Sequence, residues 1–281
     1  MFDKITELMI RKSTGSGFIF FLVIVLLQFG LNRYLKNKQT FFETLNNVVF
    51  HYLNISVLAY FLQFTNLPLP KPVYDFSGYF TANKFAAILF VLVSTDLLFY
   101  MVHRLCHNHA FLWVFHEAHH NTTELNFSAA TRNPFYNFMA FNLGRWPVAA
   151  PLIMLGLPVE YIYIVTNISL YYAVWNHSGY MLTNKYLARV FITPQVHAIH
   201  HEKNMESQRK NYGNIFSFFD RFFHTYKDGK CTEIYGSEID YDASNFVSAQ
   251  MNPVLILLKK ACEIRSYKNF YSFFILGKPL N

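Results

Sequence analysis

Charge is scarce in this chain. Asp, Glu, Lys and Arg make up 15% of its 281 residues, where soluble domains carry about 25%. That deficit excludes an ordinary water-exposed surface over most of the sequence. Cysteine is scarce too, with only Cys106, Cys231 and Cys262. An odd number with no Cys-x-x-Cys pair excludes a disulfide framework and a thiolate zinc site, and reads as a reducing, cytoplasm-facing environment. No internal repeat, low-complexity tract or Gly/Ser linker divides the chain, so residues 1–281 read as one domain. The N-terminus lacks the pattern of a cleaved signal peptide. Its apolar core begins near Gly17, behind Asp3, Glu7, Arg11 and Lys12, and no small-residue cleavage site follows.

Apolar runs take the place of the missing charge. A helix needs about 20 mostly apolar residues to cross a hydrocarbon core. Residues 17–35 offer one such run and 84–102 a second. Residues 46–64 form a weaker one, with His51 and several polar groups. The segment 66–78 holds Pro68, Pro70 and Pro72 and breaks any helix. Residues 135–157 are apolar but interrupted by Arg145, Pro147 and Pro151, and 158–175 follows at once. A last piece, 253–258, is too short to cross and suits the interface. The expectation is an all-α integral membrane protein with four to five membrane helices. The polar parts, 103–134 and 176–252, would form a cytoplasmic helical cap. The alternative is a soluble protein with long buried core helices. The formal net charge of +7 comes from Lys and Arg clusters flanking apolar runs, which suits anionic lipid head groups rather than nucleic acid.

Histidine is the residue that stands out. Nine of the twelve histidines fall into a pattern. His103 and His107 are spaced i, i+4. His116, His119 and His120 form H-x-x-H-H, and His197, His200 and His201 repeat it. His177 stands alone at the end of an apolar run. Positions i, i+3 and i+4 share a helix face, so each cluster projects its imidazoles to one side. Neutral imidazole suits iron, zinc and copper. Eight or nine such groups are too many for one ion and suit two. A pH-sensing cluster is the competing reading. His51, His109 and His224 have no matched spacing and read as structural.

Polar neighbours extend the candidate site. Asp96 lies seven residues before His103, two turns back on the same face, and a carboxylate within a membrane span is costly enough to imply a function. It is expected to orient a histidine through its second ring nitrogen. Asn176, beside His177, is placed to orient a water at the metal. Glu117 and Glu202 adjoin the histidines but point elsewhere on a helix, as solvent or salt-bridge partners. Asn126, Thr131 and Arg132 are expected to supply polar groups to a pocket. For the two clusters to meet on one side of a membrane, the chain between His120 and His197 must cross an even number of times. A hairpin of 135–157 and 158–175 would provide that, and basic residues around the histidines favour the cytoplasmic side.

The stretches "HRLCH", "HEAHH" and "HAIHH" resemble the three histidine boxes of the fatty acid hydroxylase/sterol desaturase superfamily. "DLLFYMVHR", "TPQVHAIHH" and "NYGNIFSFFDRFFHTY" (211–226) support the resemblance, which spans about 80–230. "HHNTTELNFSAATR" (119–132), "YGSEID" (235–240) and "NPV" (252–254) are most similar to the alkylglycerol monooxygenase-like branch. There are departures. Ala173 stands where some members have a further histidine, "RNPF" (132–135) replaces an Arg-x-His-Pro run, Phe219 replaces a Trp and "FFHT" (222–225) replaces a Phe-Gly-Thr ending.

The resemblance implies a non-haem di-iron site, with His103 and His107, His116, His119 and His120, and His197, His200 and His201 as box ligands and His177 as the isolated one. It implies O₂ as co-substrate and a lipid substrate drawn from the bilayer: a fatty acyl chain, a sterol or an ether lipid. A lipid hydroxylase and a desaturase share all these ligands. A membrane metal-binding or transport protein without redox chemistry is the reading from another class. The chain has no Gly-rich dinucleotide motif, no four-cysteine cluster and no His-Pro-Gly-Gly haem module. Electrons would therefore come from a cytochrome, a ferredoxin or a reduced pterin. The basic residues Lys203, Arg209, Lys210 and Arg221 suit either an acidic redox partner or lipid phosphates.

Overall fold

The computed structural model describes residues 41–65, 70–179, 184–237, 241–242 and 245–276, with positions 23, 26, 27 and 30 inside the first apolar run. The membrane segment expected at 17–35 otherwise lies outside the described residues, as do 238–240 of the tail motif. Helices α1 (Phe41–Thr65) and α2 (Ser77–Ala82) precede α3 (Lys84–Asn108) and α4 (Ala110–His120). A 3₁₀ turn, Phe127–Thr131, leads to α5 (Phe135–Leu143), α6 (Trp146–Met154) and α7 (Val159–Asn176). After a second 3₁₀ turn, Leu187–Arg189, come α8 (Pro194–His200), α9 (Met205–Gln208) and α10 (Phe218–Phe222). Helices α11 (Phe246–Glu263) and α12 (Tyr267–Phe270) end the described chain with a π turn, Tyr271–Ile275. Among the described residues there are no strands, only isolated antiparallel bridges at Phe191–Phe216 and Glu202–Tyr235.

Helix α3 is the element on which the rest is arranged. Its 25 residues extend about 37 Å at 1.5 Å each, and it is the one described helix long and apolar enough to cross a membrane. Its amphipathicity is inverted relative to a soluble helix. Phe85, Leu89, Phe90, Met101 and Leu105 are exposed, while Thr95, Asp96, Tyr100, His103 and His107 are buried. A helix of a soluble protein turns its apolar stripe inward. Here the polar stripe faces protein and the apolar one faces out, the arrangement that lipid selects. Near its start, Val91 packs with Leu157, Tyr161 and Val165. Further along, Tyr100 packs with Tyr212, Ile215, Phe216 and Phe219.

The run 135–157 does not form the single membrane helix expected of it. It divides into α5 and α6, nine residues each, about 14 Å apiece. The chain turns at Gly144 and Arg145, and Pro147 sits in the first turn of α6, where its missing N–H costs nothing. The proline-rich connector then closes the end of α6: the amides of Val73 and Tyr74 donate to Met154 O and that of Phe76 to Leu155 O. The weaker run 46–64 does form one helix, α1, whose polar residues have a use. Asn47 Nδ2 donates to Ser128 Oγ at 2.9 Å, and Asn54 Nδ2 donates to Asn133 O. Both side chains fasten the segment that follows the second histidine box.

Helix α7 ends at His177, and the turn after it meets that same segment. Gly179 has φ +70°, and a Cβ there would lie 2.6 Å from Leu125 O. Both the left-handed backbone and the close approach require glycine. Gly179→Ala is expected to destabilise the protein by about 1–3 kcal/mol. Thermal unfolding in detergent, followed by circular dichroism, checks this, and an unchanged midpoint contradicts it.

Candidate metal centre

Four helices deliver the nine patterned histidines to one place. The i, i+4 spacing on α3 aligns His103 with His107, and α4 carries His116, His119 and His120. Helix α8 starts where its sequence demands: Thr193 accepts from Val196 N as the N-cap, and Pro194 takes the first position. It carries His197 and His200, with His201 as its cap, while His177 caps α7. All nine are buried, none more than 8% exposed. They sort into two groups whose ligand atoms lie within 4.8 Å of one another. One holds His103, His107, His116, His120 and His200; the other holds His119, His177, His197 and His201. The groups meet where the rings of His120 and His201 stack at 4.3 Å.

The tautomers of five histidines follow from their partners. Nδ1 of His103 donates to Tyr212 O, that of His200 to Lys210 O and that of His177 to Ala173 O, each at 2.7 Å. Nδ1 of His119 donates to Arg132 O at 3.3 Å, and that of His116 to Asn137 Oδ1 at 3.2 Å. An acceptor oxygen fixes the proton on Nδ1 and leaves a lone pair on Nε2. Those lone pairs face one another. The Nε2 of His103 is 3.0 Å from that of His116 and 3.1 Å from that of His200, and the Nε2 atoms of His119 and His177 are 3.3 Å apart. Two acceptors at such distances repel unless a cation lies between them.

The donor set fits divalent metal. Imidazole nitrogens about 2.0–2.1 Å from a shared ion lie about 3.0–3.4 Å apart, and the observed separations fall in that range. Five and four neutral nitrogens with no carboxylate suit borderline transition ions rather than magnesium or calcium. Protons are poor substitutes. Burial, followed by repulsion from neighbouring imidazoles, holds His107-facing His120, and His116, His119, His197, His200 and His201, well below the ordinary histidine value of 6.5.

The surrounding polar residues differ from expectation. Asp96 touches no histidine. Seven residues place it on the face of His103 but about 10 Å further down the helix, where its carboxylate accepts from the amides of Ile215 and Phe216 at 3.1 and 3.0 Å. Asn176 donates through Nδ2 to Asn214 O at 2.7 Å, and its Oδ1 is buried with no donor among the described residues. Glu117 and Glu202 are buried rather than solvent-facing. Glu117 stands three residues before His120, the spacing of carboxylate-bridged centres, yet it falls outside both groups. Glu202 instead accepts from Ser207 Oγ and Thr232 N.

Asn126, Thr131 and Arg132 are tied into the surrounding fold by hydrogen bonds. Asn126 accepts from Ala129 N, Thr131 donates to Asn47 O, and Arg132 donates to Asn47 Oδ1 and Asn121 O. Asn137 carries little signal in the sequence, because it sits within an apolar run. Its only sequence signal is the i, i+4 spacing to Asn133, whose Oδ1 receives its Nδ2 and so turns its own Oδ1 toward His116.

Residues 88–225 match the family model for fatty acid hydroxylases, an interval that contains all nine histidines. The chain is 28% identical over 144 residues to an alkylglycerol monooxygenase of Danio rerio, covering 51% of this chain and 31% of that protein. It is 26% identical over 144 residues to the alkylglycerol monooxygenase of Homo sapiens, with the same coverage. It is 25% identical over 159 residues to an ornithine lipid hydroxylase of Rhizobium tropici, covering 56% of this chain and 47% of that protein. The match thus spans less than half the length of each of these relatives. No solved structure matches the chain significantly.

The lowered histidine pKa values give a pH dependence with a definite sign. Above the unfolded value of 6.5, folded and unfolded chains are both neutral at these positions. Below it, the unfolded chain takes up protons that the folded one refuses, so stability falls as pH falls. The thermal midpoint of the metal-free protein is expected to drop between about pH 7.5 and 5.5. A midpoint that stays flat or rises over that interval contradicts the neutral, buried assignment.

Proposed function

We propose that this chain, which carries a fatty acid hydroxylase domain over residues 88–225, is a membrane-bound oxygenase that hydroxylates a lipid. The observation that carries the reading is the convergence of nine buried imidazoles, with facing Nε2 lone pairs, into groups of five and four. His103, His107, His116, His120 and His200 would hold one iron ion, and His119, His177, His197 and His201 the other. Bound iron would supply activation of O₂, which with two electrons from an external donor and two protons inserts one oxygen atom into a C–H bond and releases the other as water.

The chain's own part is placement and exclusion. Anchored Nδ1 atoms fix the imidazole orientations before any ion arrives, so little reorganisation is needed on binding. Burial of all nine keeps bulk water away from the reacting carbon. His103 and His107 lie in the last two turns of the lipid-compatible helix α3. An acyl or sterol body can therefore enter from the bilayer while the site sits at its edge. The names of the relatives, which refer to alkylglycerols and ornithine lipid, support a lipid as the substrate class.

The membrane topology is multi-pass, with α3 crossing and the histidine site facing the cytoplasm. The exposed cations Lys203 and Arg209, which follow the third box, and Arg221 support that side. They also form the surface on which an acidic electron donor, a cytochrome or a ferredoxin, would dock; a reduced pterin is the small-molecule alternative. Asn176, with its unmatched buried Oδ1 next to His177, is placed to hold a water beside the four-histidine group.

The test uses detergent-purified full-length protein, loaded with iron anaerobically and compared with His200→Ala and His119→Ala, which remove one member of each group. The wild type is expected to hold about two ions per chain, in line with its two ligand groups. It is also expected to consume O₂ when a reductant and bilayer lipid are supplied, with a hydroxylated lipid found by mass spectrometry. Each variant is expected to hold about one ion and to lose O₂ uptake by at least about 100-fold. A product gaining a double bond instead of oxygen would replace hydroxylation with desaturation. Firm metal binding with no oxygen chemistry would point to a non-redox metal protein, and no metal at all would remove the centre.

A further inference from the structure

Two of the histidines in the five-membered group are oriented by backbone carbonyls of one short segment. His200 Nδ1 donates to Lys210 O and His103 Nδ1 to Tyr212 O, both at 2.7 Å. Such a segment needs its amides satisfied by something other than its neighbours, because among the described residues no strand pairs with it beyond the single bridge at Phe216. Two buried carboxylates meet that need. Asp220 accepts from Tyr212 N through Oδ1 and from Gly213 N through Oδ2, each at 2.8 Å. Asp96 accepts from Ile215 N at 3.1 Å and Phe216 N at 3.0 Å. A carboxylate offers two acceptor oxygens, so it can take two amides at once and leave the carbonyls free for the imidazoles. The fit is tight: a Cβ on Gly213 would lie 2.6 Å from Phe216 O and 3.0 Å from Asp220 Oδ2.

We infer that Asp96 and Asp220 are positioning residues for the five-histidine group, acting by clamping segment 210–216 in the conformation that aims His103 and His200. The inference rests on the metal-centre reading above. Asp220 is itself held by Thr225, whose Oγ1 donates to Oδ1 at 2.7 Å. Asn211 ties the same segment to α8 by donating to Val196 O at 2.9 Å. No histidine of the four-membered group donates to this segment: His119 and His177 donate to Arg132 O and Ala173 O. Replacing either aspartate by asparagine turns one acceptor oxygen into an NH₂ that confronts an amide N–H. The segment must then shift, and the two imidazoles shift with it.

The measurement is a cobalt(II) titration of metal-free, full-length protein in detergent, read by visible absorption, with circular dichroism as the fold check. Wild type is expected to bind two ions. Asp220→Asn and Asp96→Asn are expected to bind one at unchanged affinity and the other about 10- to 100-fold more weakly. The missing spectrum should match that of His200→Ala and not that of His119→Ala. Two ions at wild-type affinity in both variants, or equal weakening of the two groups, overturns the inference and leaves the centre standing. No cobalt bound by wild type overturns the metal-centre reading, and this inference with it. If neither aspartate variant folds, Thr225→Val decides, since it keeps both carboxylates. About three- to tenfold weakening at the same group supports the clamp, and unchanged affinity overturns it.

Discussion

Nine neutral imidazoles that turn their lone pairs inward repel one another, and much of the structure answers that repulsion. Left to themselves, buried histidines would rotate until each nitrogen found a donor or acceptor. Here five rings are prevented from doing so by Nδ1–H bonds to oxygen atoms that can only accept. Four of those oxygens are backbone carbonyls, which cannot be moved without moving the chain. The energetic burden is carried by rigid secondary elements, and the facing nitrogens are left as a ready-made cation site. This is why the polar interior is so heavily cross-linked. Asn47, Ser128, Thr131 and Arg132 form one network behind the second box, and Asp96, Asp220 and Thr225 another behind the first and third.

A second constraint acts on the same helix from the other side. Helix α3 must present Phe85, Leu89, Phe90, Met101 and Leu105 outward while it buries a carboxylate, a tyrosine and two histidines. In water such a distribution would be costly on both faces. In a bilayer the outer face would be at home, and the inner face is tolerable because Asp96, Tyr100 and His103 find hydrogen-bond partners within the protein. The site thus depends on solvent as much as on ligand geometry: α3 carries its histidines in its last two turns, on the face opposite its exposed apolar residues.

The ligand candidates were legible in the sequence because their geometry is local. A spacing of three or four on a helix needs no tertiary information, so all nine histidines could be named from their positions. What those positions do not carry is the identity of partners brought in from elsewhere in the chain. Asp96 was expected to meet a histidine, and its rise along the helix takes it to the amides of Ile215 and Phe216 instead. The carbonyls of Tyr212, Lys210, Ala173 and Arg132 have no side-chain signature at all. Asn137 is hidden within hydrophobic residues, and the partner of Arg132, Asn47, lies 85 residues away. The all-helical class was plain from the apolar runs. The division of 135–157 into two short helices was signalled only by its prolines and Arg145, which a reading based on length passes over.

The two ligand groups are interleaved along the chain. Helix α4 gives His116 and His120 to one and His119 to the other, and α8 divides His200 from His197 and His201 in the same way. One group is not complete until residue 200 has been made, and the other not until residue 201. On a ribosome, α3 therefore emerges with Asp96, His103 and His107 facing no partner for about a hundred residues of further synthesis. Its hydrophobic flank can commit to a translocon long before its polar flank can be covered. Capture of an ion by either group would in consequence come late, and a truncated product that stops short of the third box would leave the polar stripe of α3 without the partners that the later segments supply.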